Sequence, residues 1–237
     1  MKKNNIYIIT GGTMVHVTPH FSVCAPAYGK VGRELYAYLM SKDIHEQYNI
    51  YLIKTKMAGV NSDETIEHLK GLTITKAIET NDDLEAFVDI ISKEKETASI
   101  IMSSAICDFE PEELLGYEEE IPVKINEFGK DKKRLHKAHS LELKLQPSRK
   151  IVDSIKQNNP QIFLVTFKTT AGSTKEILVE KALFNLKRSS SNLVFGNDIQ
   201  HKINLIVTDK DEVLSAKSRA STLELFAMEF FKRIGTK

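Results

Sequence analysis

The sequence predicts an α/β fold: a mostly parallel sheet in three layers, with helices on both faces and a small hairpin or loop arm. Its amino end shows the first sign. An apolar run, Ile6-Tyr-Ile-Ile-Thr10, stops at Gly11-Gly12, and a second glycine pair, Gly29 and Gly32, opens an amphipathic stretch. Short β-branched runs then alternate with helical periods, the pattern of repeated β-α-β units. With 237 residues, 41% of them hydrophobic, the chain can bury a full core. Residues 1–237 are therefore read as a single domain.

The elements follow in order. Asn5–Thr10 is the first strand, and Gly32–Leu39 a helix with Val31, Leu35, Tyr38 and Leu39 at helical spacing. Ile50–Lys54 and Leu72–Ile78 are strands. Asp82–Ser92 is a helix capped by Asn81 or Asp82, with Leu84, Phe87, Val88 and Ile91 as its buried stripe. Ala98–Ser103 is an apolar strand. Residues 105–140 break the rhythm: an acidic run, Glu110 to Glu120, gives way to a basic one, Lys130 to Lys137. They read as one long active-site or flap loop, because loops of that length in compact domains are usually functional. Leu141–Leu145 alternates as a half-exposed strand, either pairing across a subunit boundary or forming an ordinary edge. A helix from Ser148 through Ile155, a strand Gln161–Phe167, a helix Thr174–Leu186 and a strand Asn192–Phe195 follow. Ile203–Thr208 and Val213–Ala216 form a hairpin, and Ser221–Ile234 is a closing amphipathic helix.

Composition narrows the function classes. A net charge of +1 gives no global field to attract nucleic acid or an acidic membrane, so basic residues must act locally. Two cysteines, Cys24 and Cys107, match a reducing compartment. Met1-Lys-Lys-Asn-Asn leads into a strand, with no apolar signal segment, and no run reaches the length of a membrane span. These features predict a cytoplasmic protein with no nucleic-acid and no membrane partner. His16 and His20 share a loop without a carboxylate or cysteine at ligand spacing, so no metal site is expected there. Cys24 has no evident base nearby and reads as an inert buried thiol.

A strand, a glycine turn, a loop and a glycine-led helix together present backbone N–H groups to phosphate. The spacing is not GxGxxG and no GKS/T follows, so a bare strand-to-helix turn is the competing reading. Further motifs stand in a fixed order. They are Ile9-Thr-Gly-Gly-Thr13, Gly29-Lys-Val-Gly32, Ser104-Ala-Ile-Cys-Asp-Phe109, Leu141–Ile151, Val165-Thr-Phe167, Asn192-Leu-Val-Phe-Gly-Asn-Asp198 and Asn204-Leu-Ile-Val. In that order and spacing the chain resembles phosphopantothenoylcysteine synthetase, the phosphopantothenate–cysteine ligase of coenzyme A biosynthesis, over nearly its whole length.

The resemblance implies a Rossmann-like three-layer sandwich that pairs as a homodimer. It implies a ligase that joins 4′-phosphopantothenate to cysteine through an acyl-nucleotide. CTP or ATP is then the co-substrate with Mg²⁺, pyrophosphate leaves, and a separate phosphopantothenoylcysteine decarboxylase is the pathway partner. By the same resemblance, Gly11, Gly12, Thr13 and the amides from Gly29 to Gly32 cradle phosphate. Ser103, Ser104 and Ala105 meet the nucleotide at the sheet's carboxyl end, and Asp108 accepts hydrogen bonds from it. Phe167 packs on the base. Lys130, the first lysine of Lys130-Asp-Lys-Lys133, is the catalytic residue that stabilises the transferring phosphoryl charge. Lys187 and Arg188 contact the triphosphate.

The chain departs from the family's pattern at several positions. Where the family carries an Asn tied to the acyl-nucleotide, this sequence has Ala25, which offers no amide. Two family arginines correspond to Met14 and Phe21, an acidic residue to Thr170, and a lysine to Ser189. Losing one hydrogen bond made in the transition state costs ~2.7–4 kcal/mol. A non-catalytic homologue that binds nucleotide for regulation or assembly is thus the alternative. A nicotinamide-dependent oxidoreductase fits less well, since no ribose-binding acid follows Ile50–Ile53.

Overall fold

A computed structural model of the chain describes residues 4–42, 46–59, 77–118, 121–132 and 138–234. The apolar runs form parallel strands: β1 (Asn4–Thr10), β4 (Tyr48–Lys54), β5 (Thr97–Met102), β9 (Phe163–Thr170) and β10 (Leu193–Asp198). Antiparallel β11 (Asn204–Thr208) and β12 (Val213–Leu214) complete a seven-stranded sheet in the order β12-β11-β10-β9-β5-β1-β4. Ile6 stands opposite Ile50 on one side and Ser99 on the other.

Successive strand side chains point to opposite faces, and β1 is buried on both. Ile6 and Ile8 pack with α1 (Lys30–Met40) and α5 (Arg219–Ile234), through Leu35, Leu39, Phe226 and Phe230. Tyr7 and Ile9 pack with α2 (Asn81–Lys93) and α3 (Val152–Asn158), through Phe87 and Ile155. The Leu178–Ala182–Leu186 stripe of α4 (Lys175–Ser189) covers Val194, Leu205 and Val207. The predicted α/β sheet with helices on both faces is therefore the observed fold. The chain runs from β1 out to β4, then back past β1 to β5. That reversal leaves a crevice at the carboxyl ends of β1 and β5.

The second helix is capped by Thr80, not by Asn81 or Asp82. The Thr80 hydroxyl accepts from the Asp83 N–H at 3.1 Å while the Asp83 carboxylate accepts from the Thr80 N–H at 2.9 Å. The helix expected from Ser148 begins only at Val152. The Ser148 N–H instead donates to the Asp108 carbonyl at 2.9 Å, just beyond the end of the last strand pair there. In the strand expected over Leu72–Ile78, residues 72–76 lie outside the described residues, and 77–79 form no strand.

Residues 105–140 are not one long loop. They contain β6 (Phe109–Glu118), β7 (Ile121–Ile125) and the start of β8 (Ala138–Pro147), an antiparallel sheet in the order β7-β6-β8. Its charged residues pair across strands, Glu112 with Lys144 at 2.9 Å and Glu113 with Lys124, which is why the composition resembles a solvated loop. Leu114 and Ile125 on its other face bury Val17 of a hairpin, β2 (Met14–Thr18) and β3 (Phe21–Cys24), in a segment also expected to be loop. Among the described strands β8 pairs only with β6, so Leu141–Leu145 is an edge with Leu141 and Leu145 exposed. Cys24 is exposed, contrary to the buried thiol expected, because β3 lies at the surface; Cys107 is the buried cysteine. Among the described residues no helix is long and apolar enough to cross a membrane.

Candidate functional site

The crevice widens into a cavity of about 990 Å³ at the carboxyl ends of β5 and β9. Its β1 side is closed by main-chain straps. The Ala105 N–H donates to the Gly11 carbonyl at 3.0 Å, the Thr13 N–H to the Ala105 carbonyl at 3.1 Å, and the Gly12 N–H to the Ala27 carbonyl at 2.7 Å. The Thr13 hydroxyl oxygen accepts the Cys107 N–H at 2.9 Å and donates to Asn81 Oδ1 at 2.6 Å.

This corrects the expected phosphate cradle. The Gly12 and Thr13 amides are already bonded to protein carbonyls, and Gly11, Gly12 and Thr13 do not line the cavity. Glycine at position 12 lets the Ala25–Ala27 backbone pass closely, since a Cβ there would lie 2.0 Å from the Ala25 carbonyl oxygen. The second glycine pair serves the site indirectly. Gly29, at φ +71°, turns the chain into α1, and its carbonyl accepts the Arg33 N–H at 3.1 Å. The N–H groups of Lys30, Val31 and Gly32 precede that first helical bond, and Val31 lines the cavity. Gly32 itself packs against Thr10 and Ser103.

Ser103, Ser104, Ala105, Asp108 and Phe167 all line the cavity. The Ser103 hydroxyl donates to the Ile9 carbonyl at 2.9 Å, whereas Ser104 Oγ is buried and has no hydrogen-bond partner among the described residues. Asp108 is exposed and paired with Lys150 at 2.6 Å. Phe167 is half-buried, its ring 5.4 Å from Phe195 and 6.2 Å from Phe226, so much of its surface belongs to the core.

Two predicted basic residues stand elsewhere. Lys187 lies in the last turn of α4, outside the cavity lining, while its neighbour Arg188 lines it and grips both Asp153 carboxylate oxygens at 2.7 Å. Lys130 does not line the cavity and pairs with Glu79. Lys133 lies outside the described residues. Glu79 also meets Lys56 at 3.1 Å and lies 3.5 Å from His16 Nε2, whose Nδ1 contacts Ser22 Oγ at 2.7 Å. Burial raises the Glu79 pKa, but hydrogen bonds from Lys130 and Lys56 outweigh it and hold the carboxyl below its ordinary value.

Of the cavity's cations, sequence reading named Arg188 and missed the rest. Arg149, Lys150, Lys168, Lys181, Arg188 and Arg219 line it against only two carboxylates, Asp108 and Glu180. Among the described residues the side chains of Lys168, Lys181 and Arg219 carry no ion pair or hydrogen bond. A concave surface with unpaired cations and a strand-end serine hydroxyl suits a polyanion. The spacing of Lys181, Phe184 and Arg188 along one stripe of α4 was the available signal.

At the end of β10, Asp198 is fully buried. Its carboxylate accepts from the His201 and Ser173 N–H groups and the Thr170 hydroxyl, each at 2.8 Å. Desolvation raises its pKa, but these donors prevail and hold it far below the usual carboxylate range. Among the described residues no group of three or more His, Cys, Asp or Glu is placed to hold a metal ion.

Residues 1–229 match the family described as DNA/pantothenate metabolism flavoprotein C-terminal domain. The chain is similar to a coenzyme A biosynthesis bifunctional protein, CoaBC, of Thermococcus kodakarensis, at 25% identity over 123 residues. That alignment covers 52% of this chain but only 27% of the relative, so the match spans about a quarter of the curated protein's length. Among solved structures, the DNA/pantothenate metabolism flavoprotein from Streptococcus pneumoniae superimposes with a TM-score of 0.74 at 20% identity, covering 97% of this chain and 99% of that one. The C-terminal domain of a CoaBC protein gives 0.62 at 18% identity, covering 99% and 95%. A Cab2 mutant in complex with phosphopantothenate-cysteine gives 0.66 at 15% identity, covering 98% and 86%. At these identities the likenesses establish the fold.

Proposed function

The chain belongs to the family of the DNA/pantothenate metabolism flavoprotein C-terminal domain, and from that premise we propose that it acts in coenzyme A biosynthesis as a ligase joining 4′-phosphopantothenate to L-cysteine. The observation that supports this most is the cavity at the sheet's reversal, lined by the unpaired side chains of Lys168, Lys181 and Arg219. In the proposed reaction the carboxylate oxygen of phosphopantothenate attacks the α-phosphorus of CTP or ATP, and pyrophosphate leaves. The cysteine amine then attacks the acyl carbonyl, a proton is lost, and the nucleoside monophosphate departs.

A carboxylate is a poor electrophile and both substrates are anions, so the protein's task is to hold like charges together. Unpaired lysines and the amino end of α1 supply that compensation, and the free Ser104 hydroxyl adds a neutral donor. Mg²⁺ would neutralise phosphate charge when bound; since the described residues hold no metal-ligand cluster, it would be carried by the nucleotide phosphates, with Asp108 and Glu180 as the carboxylates of the cavity lining. In this reading Lys130 must leave Glu79 to reach the phosphoryl group. The same reading carries a cytoplasmic homodimer, served by a separate phosphopantothenoylcysteine decarboxylase.

Ala25 supports a second reading. It lines the cavity and presents only a methyl group where the family's ligases carry an Asn. A nucleotide-binding homologue without ligase activity follows if nothing replaces that amide. Incubating the purified protein with phosphopantothenate, cysteine and CTP or ATP, and following pyrophosphate, separates the two. Release that depends on phosphopantothenate supports the ligase; nucleotide binding by calorimetry without release supports the binding protein.

A further inference from the structure

One lip of the cavity combines an open aromatic ring with cations. Phe184 lines the cavity and is 69% exposed. Single exposed apolar side chains are common on protein surfaces, so exposure alone means little. Its neighbours give it meaning. Lys181 and Arg188 stand three residues before and four after it on the same stripe of α4. The helix is fixed over the strand ends at this point, because Asn185 Nδ2 donates to Thr166 Oγ1 at 3.0 Å and Arg188 grips Asp153. Lys168 lines the cavity from β9, and its side chain, like that of Lys181, has no partner among the described residues. The cavity's other phenylalanine, Phe167, is packed against Phe195 and Phe226.

We propose that Phe184 is the base-stacking residue of this cavity, so that its nucleotide is gripped by an aromatic platform on α4, with Lys168 and Lys181 neutralising the phosphates. The inference rests on the nucleotide-dependent reading above and adds where the base sits. Every base has a π-face, so a stacking platform tolerates all of them, and Phe184 favours broad nucleotide use over strict choice of CTP.

The chain contains no tryptophan, so Phe184→Trp introduces a single indole reporter. Calorimetry on the unaltered protein comes first, with CTP, ATP and inorganic tripolyphosphate as probes. Phe184→Ala is then expected to weaken CTP and ATP by about 5- to 100-fold while leaving tripolyphosphate unchanged. In Phe184→Trp, CTP and ATP should quench the indole saturably and tripolyphosphate should not. Unchanged nucleotide affinity in Phe184→Ala overturns the proposal, as does equal quenching by tripolyphosphate. So does a dimer of the unaltered protein that Phe184→Ala dissociates at constant nucleotide affinity, which would assign the ring to a second copy of the chain. If the unaltered protein binds no nucleotide, the ligase reading itself falls and this inference falls with it.

Discussion

The Thr13 hydroxyl oxygen accepts the Cys107 amide at 2.9 Å, tying the turn after β1 to the chain leaving β5 at the cavity wall. Thr13 is fully buried and also donates to Asn81. We predict that Thr13→Val, which keeps the shape but loses both bonds, destabilises the protein by roughly 1–3 kcal/mol, because the Cys107 N–H and Asn81 Oδ1 are left unpaired. Urea denaturation measures it. A loss below about 0.5 kcal/mol would mean that water replaces the hydroxyl.

Cavity cations should act as phosphate ligands with a salt signature. Lys168→Met keeps most of the apolar stem and removes the charge, and Arg219→Met does the same on α5. Each is predicted to weaken CTP or tripolyphosphate binding by roughly 1–2 kcal/mol and to flatten its dependence on ionic strength. Calorimetry at two salt concentrations checks this; an unchanged salt dependence in both variants would remove these residues from anion binding.

Ala25 offers a gain-of-function experiment. If the chemistry is that of the family and the missing amide limits it, Ala25→Asn should raise pyrophosphate release by about 10- to 100-fold, below the full worth of an optimised transition-state donor. The comparison is kcat for the two proteins under identical substrates. No increase from a measurable starting rate would show that another group already fills the role.

Asp198 sets an acid limit on stability. Its folded pKa is depressed, so its contribution is fully present above its ordinary carboxylate value and fades as pH falls below that value toward the folded one. Asp198→Asn places an amide NH₂ among the N–H donors of Ser173, Gln200 and His201. We predict a lower urea midpoint at neutral pH and a flatter dependence of stability on pH between about 5 and 3. Parallel pH titrations of the two proteins' midpoints test the assignment; parallel curves would contradict it.

The central sheet was legible because β1 is buried on both faces, which leaves Ile6 to Ile9 as an unbroken apolar run. Of the arm, the alternating Leu141–Leu145 of β8 was legible, but β6 and β7 were not, because Leu114 lies among Glu112, Glu113 and Lys124, whose pairings become visible only across strands. In the site, Ser104, Asp108 and Phe167, which the family resemblance had named, all line the cavity. Lys187 failed by helical phase, one residue being about 100° of rotation and enough to turn a side chain away from the cavity beside Arg188. The Gly12 and Thr13 amides failed because local pattern cannot tell which carbonyls will come back to claim them, and here Ala27 and Ala105 do.

The arm departs from the main body at Phe109 and returns at Pro147, and the Ser148–Asp108 backbone bond clasps its two roots together. Asp108 and Lys150, joined as an ion pair on the cavity wall, flank that clasp. The arm's two chain ends therefore meet the main body at a single seam, and the charged pair on the cavity wall sits at that seam.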